Sequence, residues 1–108
     1  MTAEAFKRQF DALSAEYRSS LPRKFSELDA LWRDLCSGAA RPDRLADLQR
    51  ELHTLAGAAK TLGVAGVSEA AAAAEAFLEP YCARRKALPA ARQAEFLRLL
   101  DALKQAAL

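Results

Sequence analysis

The 108-residue sequence has no isoleucine, two valines and three threonines. A pleated sheet favours β-branched side chains, so there is little here to build one from. Histidine occurs once and cysteine twice, at Cys36 and Cys82. That set has no metal-ligand spacing. A small disulfide framework would need more cysteines and a signal peptide, and the charged stretch from Met1 to Phe10 is not one. The four glycines, at 38, 57, 63 and 66, are too few and too scattered for a phosphate-cradling loop. No stretch reaches the ~20 uncharged apolar residues of a membrane span. Neither sign of charge dominates, with 16 basic and 14 acidic residues and a net charge of +2. The densest basic run, Arg84-Arg85-Lys86, is too short for a nucleic-acid stripe. The expectation is a soluble, cytoplasmic chain with reduced thiols, no nucleic-acid partner and no membrane anchor.

What the sequence has in excess is alanine, 26 residues, and leucine, 17 residues. Both are strong helix formers. The length suits one domain, 1–108. Pro22, Pro42 and Pro89 stand where helices can begin, and Gly38 and Gly63 where they can end. Between these marks apolar residues recur three and four apart. Phe6, Phe10, Leu13 and Tyr17 form one stripe, and Leu21, Phe25, Leu28, Trp32 and Leu35 a second. Further stripes run through Leu45 to Leu62, Val67 to Tyr81 and Phe96 to Leu103. The spacing predicts helices near 3–18, 22–36, 42–62, 66–85 and 89–106, with Thr2 capping the first. Pro80 predicts a kink or an early end near Glu79. Short connections make consecutive helices antiparallel. The expected fold is all-α: an antiparallel four-helix bundle with an additional N-terminal helix across one end. Trp32 and Tyr81 read as packing residues, Cys36 and Cys82 as small buried or half-buried hydrophobes. The basic run 84–86 reads as a helix C-terminus.

A helical bundle with no phosphate loop and no obvious oxyanion hole is a poor frame for self-contained enzyme chemistry. Attention falls on His53. At ~100° per residue, Leu48, Leu52, Leu55 and Ala59 share one face, and His53 lies roughly 130° from its centre. It should face solvent. Ala46, Gln49, Arg50, Gly57, Lys60 and Val64 share its side. Gly57 is odd, because a mid-helix glycine costs ~1 kcal/mol relative to alanine. One turn after His53, it clears the surface beside the imidazole for an approaching group. Arg50 and Lys60, one turn before and two turns after, could hold a phosphoryl group's charge. For Arg50 and Lys60 the plainer reading is a solvated polar face, for His53 an ordinary surface histidine, and for Gly57 another helix packed over it.

The segment from His53 to Gly63 resembles the signature of histidine-containing phosphotransfer (HPt) domains, approximately H-x-L-K-G-x-x-x-x-L-G. His53, Leu55, Gly57 and the pair Leu62-Gly63 match it. The acidic stretch running from Val67-Ser68-Glu69 to Glu75 is also similar, as are the length and the helical layout. Ala56 departs, standing where the family usually has a lysine, and Lys60 is the candidate to supply the missing charge. The resemblance implies a phosphocarrier of a bacterial two-component phosphorelay, not a kinase. His53 would accept a phosphoryl group from a receiver-domain aspartate and pass it to another receiver. The partners implied are receiver domains of hybrid histidine kinases and of response regulators. The carrier would be a monomer without a cofactor, the receiver bringing the Mg²⁺. Docking is expected over Gln49, Arg50, Gly57, Lys60 and Val64, with apolar residues of a neighbouring helix. Two other readings stay open. One is a non-phosphorylatable relative that binds receivers or kinases without carrying phosphate, kept alive by Ala56. The other is an unrelated helical scaffold.

Overall fold

A computed structural model describes residues 2–37 and 42–108. Four helices account for nearly all of them: α1 (Ala3–Ser37), α2 (Pro42–Thr61), α3 (Ala65–Ala83) and α4 (Ala90–Ala106). No strand occurs among the described residues. The expected helix end at Gly38 lies outside them.

Cross-helix contacts fix the topology. Tyr17 Oη donates to the Leu55 carbonyl and Ser14 Oγ to that of Leu62, while Asp34 meets Arg44, so α1 and α2 are antiparallel. Trp32 stacks on Phe96 at 4.9 Å, and Asp29 pairs with Lys104, so α1 and α4 are antiparallel too. Gln49 meets Glu79 and His53 meets Glu75 across α2 and α3. Phe77 meets Phe96 across α3 and α4. Each helix thus runs against its neighbours around one core. Leu45, Leu48, Leu52, Val67, Leu78, Phe96 and Leu103 are wholly buried. Burial of a leucine or phenylalanine side chain contributes about 1.5–3 kcal/mol. No buried side-chain polar atom among the described residues lacks a partner.

The main departure from the sequence expectation is α1. It is one continuous 35-residue helix, not two helices over 3–18 and 22–36, and no separate N-terminal helix crosses the end of the bundle. At about 1.5 Å per residue, α1 spans about 52 Å, matching the 52 Å long axis of the molecule. Thr2 caps it as expected, its Oγ1 accepting from the Ala5 N–H at 3.1 Å. Its first turns project past the α2–α3 connection, leaving Phe6 62% exposed. The helix survives Pro22 because the residues on both sides bury on one face. Tyr17, Leu21, Phe25 and Leu28 follow the 4-4-3 spacing of a single helical stripe, and all are buried. A break at Pro22 would remove half of them from the core. The donor that Pro22 lacks would have met the carbonyl of Arg18, an exposed residue that water can satisfy.

Pro80 behaves likewise. An early stop near Glu79 does not occur, and the helix runs on to Ala83. The donor missing at Pro80 would serve the carbonyl of exposed Ala76. Elsewhere the punctuation holds. Gly63 ends α2 in the left-handed region at φ 76°, with the Val64 N–H reaching back to the Ala59 carbonyl at 2.8 Å. Pro89 is the N-cap of α4. Trp32 is core and Tyr81 packs on Phe77. Cys36 departs: expected to be buried or half-buried, it is exposed in the last turn of α1. Cys82 is half-buried, and burial, with Glu79 nearby, pushes its thiol up, away from thiolate chemistry.

A proline inside a helix costs about 3 kcal/mol. Pro22→Ala is expected to raise stability by about 1–3 kcal/mol, read as a higher thermal midpoint. An unchanged midpoint would show that Pro22 carries no such cost.

Candidate functional site

α2 buries Leu45, Leu48, Leu52, Leu55 and Ala59 on one side. That periodicity turns His53 outward, and its side chain is 77% exposed. The ring is nevertheless held. Nδ1 lies 2.8 and 2.9 Å from the two carboxylate oxygens of Glu75 on α3. An ionised carboxylate only accepts hydrogen bonds, so Nδ1 carries the proton and donates. In the neutral ring, the lone pair then sits on Nε2. Glu75, with its side chain 24% exposed, forms the inner wall of the site. The structure therefore presents a basic, nucleophilic nitrogen outward, with its ring fixed from behind.

One turn along both helices, Gln49 Nε2 donates to Glu79. The two rungs share one register about the α2–α3 connection: His53 and Glu75 each lie eleven residues from Val64, Gln49 and Glu79 fifteen. Below them Ser68 Oγ donates to the Ala56 carbonyl at 3.0 Å, tying the first turn of α3 to α2. Ala46, Gln49, Arg50, His53, Glu75 and Glu79 line one open groove.

The residues expected on the His53 face fall out as follows. A Cβ built on Gly57 would meet nothing within 4 Å. No neighbouring helix requires the glycine, and the surface beside the imidazole is clear. Arg50 is exposed, with Nη1 3.5 Å from Asp47 Oδ1. Lys60 is exposed in the last turn of α2. Gln49 shares the groove with His53, but its amide is engaged by Glu79. Val64 leaves the face. α2 ends at Thr61, so helical extrapolation to residue 64 fails, and Val64 is buried at 9% exposure before the first turn of α3.

The residues that sequence reasoning missed are Glu75 and Glu79 as partners of this site, and Asp47 beside Arg50. Each carboxylate on α3 becomes visible only once α2 and α3 are folded back about Val64. The neighbour of His53 is thus α3, whose exposed side includes Ala72 and Ala76.

Compared with known proteins, the chain matches the family model described as the Hpt domain over residues 12–106. No curated protein and no solved structure matches it.

The Glu75 contact makes a direct prediction. Imidazole ¹⁵N resonances of the neutral ring should show Nδ1 protonated and Nε2 bare. Glu75→Ala should move the ring toward the Nε2–H form that a free histidine side chain prefers. Identical nitrogen shifts in both proteins would show that Glu75 does not set the tautomer.

Proposed function

We propose that this chain, which belongs to the Hpt domain family, carries a phosphoryl group on His53 between receiver domains of a two-component phosphorelay. Hpt domains act in such relays as phosphocarrier modules. The observation that carries the reading is the outward Nε2 of His53, backed by Glu75 and flanked by the open surface of Gly57.

The chemistry follows from that placement. Nε2 attacks the phosphorus of a receiver's phosphoaspartate. The N–P bond forms, the P–O bond to the aspartate breaks, and the aspartate leaves as a carboxylate. The ring gains positive charge as it loses its lone pair to phosphorus. The Nδ1–H contact to Glu75 stabilises that charge and keeps the ring in line. Onward transfer reverses the step on a second receiver. The chain needs no nucleotide pocket, because the receiver brings both the phosphoryl group and its Mg²⁺. It acts as a carrier, a monomer in the cytoplasm, and not as an enzyme in its own right.

The receiver docks over Gln49, Arg50, Gly57 and Lys60 on α2, together with Ala72 and Ala76 on α3. Those two alanines are exposed, small and uncharged, and they lie on the helix that holds Glu75. Lys60, about 10.5 Å along the axis from His53, supplies positive charge at the rim of the docking face. A second reading, a receiver- or kinase-binding module that takes no phosphate, is favoured by Ala56, which stands where the family usually has a lysine.

Incubation with phosphorylated receiver domains separates the two. Label that is acid-labile and base-stable should reach the wild type and not His53→Ala. Receivers that bind without labelling either protein would establish the second reading. Gly57→Leu and Ala76→Arg each test the docking face. Both should keep the thermal midpoint within a few degrees and cut the transfer rate at least tenfold. Full transfer by both variants would place docking elsewhere.

A further inference from the structure

The groove beside His53 is acidic before any phosphate arrives. Glu75 and Glu79 line it from α3. A phosphoryl group adds a charge of about −1.5 to −2 at neutral pH. The two glutamates of the groove would oppose that added charge unless a cation joined it. Arg50 is the cationic side chain lining the groove, and Lys60 is not part of that lining. Residues three apart on a helix have Cβ atoms about 5–6 Å apart, so the outer side of the His53 ring is within the span of the long Arg50 side chain. Lys60, seven residues on, begins about 10.5 Å away along the axis.

Arg50 is already engaged elsewhere. Its Nη1 stands 3.5 Å from Asp47 Oδ1, and Asp47 also meets Arg44 at 3.8 Å, which in turn reaches Asp34 on α1 at 3.2 Å. Exposed pairs of this kind are weak. A phosphoryl dianion offers a guanidinium two parallel charge-assisted hydrogen bonds and is the stronger partner. When Arg50 leaves, Asp47 retains Arg44, so the exchange strands no charge.

We propose that Arg50 neutralises the phosphoryl group on His53 Nε2, and that Asp47 is a positioning residue that holds Arg50 in the free protein and yields it on phosphorylation. The inference rests on the phosphocarrier reading, and deepens it by naming the residue that takes the place of the lysine missing at Ala56. Arg50 thereby becomes a phosphoryl-binding side chain as well as part of the docking face.

The test needs no receiver. Phosphoramidate, a small-molecule donor, loads the histidine directly: Nε2 attacks phosphorus, the reagent's P–N bond breaks and ammonia leaves. The readout is the pH titration of the ³¹P resonance in the loaded full-length protein. A purely structural residue would not move its midpoint. Arg50→Ala is expected to raise the midpoint by about half a unit or more, because a nearby cation favours the dianion. Arg50→Lys should recover part of the shift. Asp47→Asn should lower the midpoint when Arg50 is present, and by less than half as much in the Arg50→Ala background. An Arg50→Ala midpoint equal to that of the wild type would overturn the Arg50 assignment. Equal Asp47→Asn shifts in both backgrounds would overturn the exchange. A protein that phosphoramidate cannot load on His53 would overturn this inference and the carrier reading together. A loaded, Arg50-coupled protein that passes its label to no receiver would overturn the relay reading and leave this one standing.

Discussion

The site depends on how far α2 and α3 are slid along each other. His53 and Glu75 meet because both lie the same distance from Val64, and a slip of one residue would rotate the carboxylate about 100° away from the ring. Three local features set that register. Gly63 takes a positive φ that other side chains rarely adopt, so α2 stops at one place. Phe10 of α1 lies beside the same glycine, where a Cβ would stand 3.5 Å from its ring. Ser68 ties the first turn of α3 to the Ala56 carbonyl. The connection is thus pinned by its own geometry, by a neighbouring helix and by a hydrogen bond.

The alanines of α3 belong to the same constraint. Ala71 and Ala74 are wholly buried, and so is Ala59 on α2. Small side chains at a helix–helix contact let backbones approach closely. A carboxylate as short as that of Glu75 can then span the gap to an imidazole. The run Ala70 to Ala74 is the spacing element of the site. The outer side of α3 is equally bare, and it is this side that the proposed receiver meets.

Much of the fold was legible because local and tertiary preferences agree. α2, α3 and α4 fall within one or two residues of the ranges expected from spacing and punctuation. α1 was misread because proline chemistry is a local rule, and here the burial of Leu21, Phe25 and Leu28 outweighs it. Pro80 repeats the lesson on a smaller scale. At the site, the exposure of His53, Gly57, Arg50 and Lys60 followed from periodicity alone. Val64 was lost because a helical wheel carries no information about where the helix stops. Glu75 was hidden for a different reason. Its role exists only across two helices, and no spacing within either of them encodes it.

The engagement of one ring nitrogen of His53 also sets the manner in which traffic can pass. Nδ1 is held by Glu75 of α3, which leaves Nε2 as the single free ring nitrogen. On the proposed function, donor and acceptor must therefore occupy the same doorway, and they cannot occupy it together. The carrier is compelled to alternate between empty-handed and laden encounters. Its throughput is governed by how quickly each visitor departs, which rewards brief, loosely held complexes over tight ones.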